Sequence, residues 1–399
     1  TGYGISLRPL SIFANEVYRD TNTDQFKVKL TGTDADQYTE KDKLLSARMY
    51  KAITIILFKL EGQKVLRRPE FGMADRLLLD KINYADRTIT LGDKVYPMLD
   101  CDFPTVDPAD PYTLTEEENH VINQLTDSFG NSEKLQRHIR YLYSKGGLYK
   151  VCNGNLLFHG CIPMNNDGSL MTFTIGGKER SGKRFLDYAE KTARKAYYDK
   201  RGSEERQFGM DFLWWLWAGR NSPIFGRDRM TTFERRFIAD EATWVEPKNA
   251  YYTYYQDPAV CDRLLKEFGL EGEHCHIING HVPVKVRKGE SPIKGGGKLI
   301  VIDGGFSRAY QATSGIAGYT LIYNSRHYRI VSHQPFAGKW NAVHKNDDIR
   351  NDSEIFEKME TRMRVSQTDQ GVELQDRVNM LMMLLDAYRS GAVTEDHRK

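Results

Sequence analysis

The sequence lacks several features that would place it in a large class of proteins. Its five cysteines among 399 residues are irregularly spaced and form no C-x-x-C pair, which argues against a disulfide framework or a zinc ribbon and fits a reducing compartment. The net charge is only +3 and no long basic run occurs, so nucleic acid is not indicated as a partner. The longest apolar runs, at 52–58 and 380–385, fall far short of the about 20 residues that span a bilayer. We therefore expect a soluble, cytoplasmic protein without a membrane partner.

The composition is that of a folded protein. Hydrophobic residues make up 40% and charged residues 28% of the chain, with 22 Tyr and 18 Phe, a balance that differs from that of disordered sequences. The first residues include neither an initiator methionine nor a signal peptide. We therefore expect the chain to begin partway through a gene product.

Hydrophobic periodicity predicts a mixed α/β (α+β) architecture in three parts. Residues 1–146 are expected to be mostly helical, with an amphipathic helix over 36–60, a helical block over 115–145 broken near 129–131, and a hairpin around Gly92 and Asp93. Residues 147–330 are expected to be β-rich with a helical insert at about 185–270, with strands at 148–151, 155–159, 169–175, 276–279, 298–302 and 319–323. Residues 331–399 are expected to form a C-terminal helical region, with helical patterning over 353–390.

Two histidines follow apolar strands in the same manner. Leu-Leu-Phe-His-Gly at 156–160 and Ile-Ile-Asn-Gly-His at 277–281 each place a histidine and a glycine where a stiff strand ends. Neutral imidazole is the commonest metal ligand in proteins, and a strand end fixes its position. A single strand-end histidine is as often structural. Two matching copies favour a metal site at His159 and His281.

Two other motifs compete with this hypothesis. Residues 177–184 fit the nucleotide-binding pattern G-x-x-x-x-G-K-[ST] except at the last place, where Arg184 would put a cation in the position of the Mg²⁺ ligand. A surface turn before a helix explains the same residues. His274, Cys275 and His276 could form a separate zinc cluster, but successive strand residues point to opposite faces. We favour a supporting role for His274 and His276.

Four longer strings together resemble one family. Leu-Phe-His-Gly-Cys-Ile-Pro at 157–163, Met-Thr-Thr-Phe-Glu-Arg at 230–235, Ile-Ile-Asn-Gly-His-Val-Pro-Val-Lys at 277–285 and Val-Ile-Asp-Gly-Gly-Phe-Ser-Arg-Ala-Tyr-Gln at 301–311 closely resemble the class III fructose-1,6-bisphosphatases of bacteria. The resemblance extends from about residue 3 to 324. It implies a calcineurin-like metallophosphoesterase, with an αββα sandwich, helical insertions and a helical C-terminus, of which this chain resembles the C-terminal portion.

The resemblance implies a two-metal site that this chain supplies only in part. It assigns His159 and His281 as ligands of one metal ion, Mn²⁺ or Mg²⁺, and Val282 departs from the usual Gly-His-Thr-Pro form without changing a ligand. The family's Asp-x-His, Gly-Asp and Gly-Asn-His motifs are absent, so the bridging Asp and the general acid are expected upstream of Thr1. The expected activity is hydrolysis of fructose 1,6-bisphosphate in gluconeogenesis. The chain alone is predicted to be inactive, with the missing N-terminal half as its partner and a homo-oligomer as a further possibility.

The remaining site predictions concern phosphate and the support of the histidines. Guanidinium groups bind phosphate oxygens bidentately, and the candidate phosphate ligands are Arg227 and Arg235, then Arg229, with Lys285 and Arg308 for the second phosphate. A solvated basic loop explains the arginines equally well. Asp303, Asn279 and His276 are expected to orient the ligands from behind. An alternative of a different class is a non-catalytic assembly or regulatory fragment held by the helices over 36–60 and 353–390.

Overall fold

The computed structural model describes residues 2–28, 38–303, 306, 311, 314–348 and 351–394. The predicted mixed α/β class is confirmed. The described helices are α1 (Arg8–Val17), α2 (Glu40–Arg67), α3 (Glu116–Asn131), α4 (Glu133–Lys145), α5 (Gly182–Tyr198), α6 (Glu204–Ala218), α7 (Thr232–Phe237), α8 (Tyr251–Tyr254), α9 (Pro258–Glu267), α10 (Lys339–Lys345) and α11 (Asp369–Arg389). The described strands are β1 (Ile82–Asn83), β2 (Thr88–Leu91), β3 (Lys94–Pro97), β4 (Tyr149–Cys152), β5 (Asn155–Phe158), β6 (Phe173–Ile175), β7 (Lys178–Arg180), β8 (His276–Asn279), β9 (Ile293–Lys294), β10 (Leu299–Val301), β11 (Gly318–Tyr323), β12 (His327–His333) and β13 (Asn351–Lys358).

The chain divides into two compact units, each built from separate segments. The first unit comprises residues 1–147, 172–180 and 184–249, and the second comprises 148–171, 181–183 and 250–399. The three-part division expected from the sequence stays a prediction.

Helix α2 is the centre of the first unit. It begins with a capping box, in which the Thr39 hydroxyl accepts from the backbone N–H of Asp42 and the Asp42 carboxylate accepts from the N–H of Thr39. One side of the helix packs Ile55 and Phe58 into a core with α7, β1 and β2. Another side packs Ala52 and other residues against α1 and α3. The helix expected over 36–60 is present, but it continues to Arg67 and is buried on more than one face, which differs from the amphipathic pattern expected.

Two lysines of α2 are fully buried as ion pairs. Lys51 Nζ lies 2.8 Å from the carboxylate of Asp100, and both side chains are at most 1% exposed. Lys59 Nζ lies 2.7 Å from Glu118 Oε2, and both side chains are completely buried. Lys59 also donates to the backbone carbonyls of Thr105 and Thr113. These contacts satisfy a charge that would otherwise be costly to bury.

Two sequence predictions in this unit are confirmed. The expected helical block consists of two helices. Helix α3 ends at Asn131 and α4 begins at Glu133, which agrees with the expected break near 129–131. Strands β2 and β3 form the expected hairpin, in which Leu91 pairs with Lys94 across Gly92 and Asp93.

The second unit contains a five-stranded sheet in the order β4-β5-β8-β10-β9. Its three middle strands run parallel, whereas β4 and β9 pair antiparallel at the two edges. The middle strands are runs of apolar residues that are almost entirely buried, as expected for parallel strands covered on both faces. Because they are parallel, their carboxyl ends meet at one edge of the sheet.

A separate antiparallel sheet in the order β11-β12-β13 follows. Its third strand occupies 351–358, where helical patterning was expected, so that prediction is wrong for these residues. The helix expected there is confined to α11, which begins at Asp369. Strand β13 has little apolar surface of its own, so its sequence pattern does not predict a strand. Pairing with β12 supplies its backbone hydrogen bonds.

Candidate metal centre

The carboxyl edge of the five-stranded sheet brings three predicted site residues to the ends of three neighbouring strands. His159 directly follows β5, His281 lies two residues after β8, and Asp303 lies two residues after β10. Phe158 pairs with Asn279 in the parallel ladder, and the backbone N–H of Gly280 donates to the His159 carbonyl at 3.0 Å. The strand register therefore places both histidines side by side, although they lie 122 positions apart.

The two imidazole rings are in direct contact. His159 Nε2 lies 3.0 Å from His281 Nδ1, and the ring planes meet at 68° with centroids 4.9 Å apart. This is the distance of a hydrogen bond, in which one ring donates its N–H to the other. The two strand-end histidines therefore converge, as the sequence predicts.

His281 adopts a left-handed backbone conformation. Its φ is +66°, which is uncommon outside glycine and costs on the order of 1 kcal/mol. Glycine is the residue that usually adopts this conformation, and Gly280 precedes His281. A Cβ at Gly280 would meet His159 O and Asp303 Cβ at an ordinary 3.8 Å. The strained residue is thus the one whose ring faces His159, and strain of this kind concentrates at functional sites.

The electrostatic surroundings favour a neutral His159. Partial burial lowers the pKa of His159 below its ordinary value, and the Asp303 carboxylate acts in the opposite direction. Only neutral imidazole presents a lone pair to a cation. The Asp303 carboxylate therefore acts on His159, and its role as a support of the ligands stays a prediction.

A buried pair of polar side chains holds the turn after His159. Asn279 Nδ2 donates to the Tyr251 hydroxyl at 2.9 Å and to the Gly160 carbonyl at 3.4 Å. Asn279 is 2% exposed and Tyr251 is fully buried, and Tyr251 also packs edge-on against Phe158. Asn279 is predicted from its motif, whereas nothing in the sequence distinguishes Tyr251 within the tyrosine-rich run at 251–255.

His276 lies at the other end of β8 and is not brought to the histidine pair. Its Nδ1 is 3.0 Å from the Gly297 carbonyl and its Nε2 is 3.1 Å from Glu357 Oε2. His274 Nδ1 lies 2.5 Å from the other oxygen of the same carboxylate. The expectation that His276 orients a ligand is thus not met, because the length of β8 separates it from His281. Both histidines instead tie β8 to β13, and this explains them without a zinc cluster.

The candidate phosphate ligands of the arginine-rich segment lie in the first unit and already have acidic neighbours. Arg229 pairs with Asp228 at 2.8 Å, and Arg227 Nη1 lies 3.6 Å from Glu246 Oε2. Arg235 donates to the Trp244 carbonyl at 2.9 Å. A phosphate there would have to compete with these contacts. Their role stays a prediction.

The two candidate ligands for the second phosphate differ in what the structure shows. Lys285 lies in the second unit, and its backbone N–H donates to Glu290 Oε2 at 3.0 Å. Arg308 lies outside the described residues.

The nucleotide-binding alternative does not have the required loop. Residues 178–180 form β7, which pairs antiparallel with β6, so the backbone between the two motif glycines is extended and cannot wrap a phosphate. At the start of α5, the backbone N–H of Lys183 donates to Glu267 Oε1 at 3.1 Å. The position at this helix start where a phosphate would bind is therefore taken by a carboxylate of the same chain.

The histidine pair is an incomplete set of metal donors. Among the described residues, no three His, Cys, Asp or Glu side chains converge as a metal-binding group. Two imidazoles on a left-handed turn with a buried support are fewer donors than a metal site needs, so their role as metal ligands stays a prediction.

The fold and this site together define a mixed α/β protein with a candidate metal centre at the carboxyl edge of a parallel ladder. The chain belongs to the Firmicute fructose-1,6-bisphosphatase family, whose model matches residues 1–390. It is 49% identical over 396 residues to a class 3 fructose-1,6-bisphosphatase of Clostridium botulinum, and 50% identical over 398 residues to one of Clostridium novyi. The family predicted from the four sequence strings is thus confirmed.

The matches differ in how much of each protein they cover. They include 99% and 100% of this chain but only 59% of each relative. They do not support the more specific expectation that the chain is the C-terminal portion, which stays a prediction. No solved structure matches the chain. No helix within the described ranges is long and apolar enough to cross a bilayer.

Proposed function

We propose that this chain contributes to a cytoplasmic phosphatase that hydrolyses fructose 1,6-bisphosphate to fructose 6-phosphate and phosphate in gluconeogenesis. The observation that carries the proposal is the 3.0 Å approach of His159 Nε2 and His281 Nδ1 at the carboxyl edge of parallel strands. The names of the Clostridium relatives support the substrate. The incomplete donor set leads us to propose that the chain alone is inactive.

The separation of the two nitrogens suits a divalent cation. Two nitrogen ligands about 2.1 Å from one ion, at right angles to each other, lie roughly 3.0 Å apart, which is the separation of the ring nitrogens. Mg²⁺ prefers oxygen donors and keeps several waters, so two imidazole ligands favour a transition metal, and Mn²⁺ is our first choice. The bridging carboxylate and the other donors would come from the part of the family's length that has no counterpart in this chain.

The residues of this chain have separable roles in the proposed reaction. Bound divalent ions would supply charge stabilisation of the phosphoryl oxygens and activation of water. His159 and His281 would hold one ion, and Asn279 with Tyr251 would keep the His159 turn in place. Asp303 would favour the orientation of the imidazoles. Arg227 and Arg235, then Arg229, with Lys285 and Arg308, remain the proposed phosphate ligands.

Metal titration tests the histidine pair directly. We expect this chain to have one weak Mn²⁺ site. Binding is monitored by the loss of the electron paramagnetic resonance signal of the free ion. Either His159→Ala or His281→Ala should abolish it, whereas His344→Ala, which removes an exposed histidine of the same unit, should leave it intact. Unchanged Mn²⁺ stoichiometry in both variants of the pair would count against the metal centre.

A chimaera tests the activity. This chain would replace the matching 59% of the Clostridium botulinum relative, and phosphate release from fructose 1,6-bisphosphate would be compared with that of the chain alone. We expect activity only in the chimaera, and its loss with His159→Ala or His281→Ala. Full activity of the isolated chain would contradict the incomplete site, and an active chimaera carrying both substitutions would contradict the proposed ligands.

A further inference from the structure

A buried polar cluster lies at the edge of the five-stranded sheet that is opposite the histidine pair. It consists of Asn155, the first residue of β5, His276, the first residue of β8, Tyr328 on β12 and Glu357 on β13. We call these four residues the amino-edge cluster. The first three are at most 4% exposed. The cluster joins the starts of the two strands whose other ends lead to the histidine pair.

The cluster fixes two strands of the five-stranded sheet against two strands of the three-stranded sheet. Asn155 Nδ2 donates to the Tyr328 hydroxyl at 3.1 Å, and this hydroxyl lies 3.3 Å from Asn155 Oδ1. The His276 ring meets the Tyr328 ring edge-on, with centroids 4.6 Å apart. Its Nε2 lies 3.1 Å from the Glu357 carboxylate. Each contact joins a residue at the start of β5 or β8 to a residue of β12 or β13.

The apolar parts of β5 and β8 do not define how the two strands align. Residues 156–158 and 277–278 are all apolar, and almost all are buried. In a strand with one polar face, a slip by one residue would move apolar side chains into water. In these strands, which are covered on both faces, a slip replaces one apolar side chain with another. The polar residues at the strand ends therefore have to define the register.

The observed register is the one in which the amino-edge cluster and the histidine pair both form. Asn155 pairs with His276 at one end of the ladder, and Phe158 pairs with Asn279 at the other. A slip by one residue would displace the two histidines from each other by about 3.3 Å along the strands. The 3.0 Å contact between their ring nitrogens would then be lost.

We infer that Tyr328 and Glu357 are positioning residues for the histidine pair, and that they act through the register of β5 and β8. Tyr328 fixes the start of β5 through Asn155, and Glu357 fixes the start of β8 through His276. Both act from about 10 Å away, the length of a four-residue strand. This inference deepens the proposed function and rests on it, because the histidine pair is the metal site proposed there.

Nitrogen-15 NMR of the metal-free chain, labelled at its ten histidines, tests the inference. His159→Ala and His281→Ala assign the ring resonances of the pair. Tyr328→Phe removes the hydroxyl but keeps the ring beside His276, and Glu357→Ala removes the carboxylate. In each of these two variants we expect a second set of ring resonances for the pair, because the slipped register breaks the hydrogen bond between the rings. In the Mn²⁺ titration we expect affinity to fall at least about 10-fold.

Tyr319→Phe and Glu354→Ala are the matched controls. Tyr319 is a buried tyrosine on β11 of the same sheet, and Glu354 is an exposed glutamate on β13. Neither substitution should change the ring resonances of the pair or the Mn²⁺ affinity.

The ring resonances separate a positioning role from a general loss of stability. A single, unshifted set for the pair in both Tyr328→Phe and Glu357→Ala overturns the inference. This holds even where the urea midpoint falls, since lost stability alone does not move the resonances of the native state. A second set in both variants, in a chain whose Mn²⁺ binding does not depend on the pair, supports the inference and counts against the proposed metal site.

Discussion

Breaking the buried Lys59–Glu118 pair should destabilise the first unit more than most single substitutions would. Lys59→Met keeps the length of the side chain but removes the ammonium group that contacts Glu118 and the carbonyls of Thr105 and Thr113. Removing one member of a fully buried ion pair typically costs about 3–5 kcal/mol, because the remaining charge is left uncompensated. The double variant Lys59→Met/Glu118→Gln should recover about 1–2 kcal/mol of this loss, since a neutral amide is cheaper to bury. Its oxygen can still accept from the Thr115 N–H, as the Glu118 carboxylate does in the capping box that begins α3.

Urea unfolding monitored by tryptophan fluorescence measures this effect. Of the five tryptophans, Trp340 alone belongs to the second unit, so a Trp340→Phe background makes the signal report the first unit. Lys43→Met is the control: Lys43 is also on α2, but it pairs with Glu40 at the surface, where the Glu40 side chain is 89% exposed, and its midpoint should not change. A loss below about 1 kcal/mol for Lys59→Met, or no recovery in the double variant, would refute the reasoning.

Three further predictions concern other contacts. Tyr251→Phe should lower Mn²⁺ affinity about 10-fold in the titration, since it removes a support of the ligand turn; unchanged affinity would show that the hydroxyl has no such role. Burial would raise the pKa of Asp211, but hydrogen bonds from two arginines hold it below its ordinary value. Asp211→Asn should therefore lower the free energy of unfolding measured in urea at pH 7. The difference from the unsubstituted protein should shrink as the pH falls below about 4. Gly62→Ala should cost about 1–3 kcal/mol, because its Cβ would lie 2.0 Å from Tyr112 Cδ1; Gly130→Ala, in open space on α3, should be neutral or stabilising.

The elements that sequence reasoning found are those with a local cause. The strands leading to His159 and His281 are short apolar runs bounded by Gly and Asn, and the β2–β3 hairpin has a turn signal at its centre. The histidine pair could be predicted because both motifs place a histidine and a glycine at the end of an apolar strand.

The elements that it missed depend on distant partners. The pattern over 36–60 did not predict that Lys59 is buried, because its partner Glu118 lies 59 positions away. Strand β13 is defined by pairing with β12, and Tyr251 by its hydrogen bond to Asn279. Side-chain and backbone contacts of this kind leave no periodic signal in the sequence.

The parallel pairing of β5 with β8 also has a consequence for biosynthesis. At about 5–20 residues per second, roughly 6–25 s separate the emergence of His159 from that of His281, and most of the intervening residues belong to the first unit. Strand β5 has only its hairpin partner β4 during that interval, and its other edge stays open to incorrect pairing. The histidine contact therefore marks the moment at which β5 gains its second neighbour, and a probe at this contact would time the pairing of β5 with β8, which β9 and β10 follow along the chain.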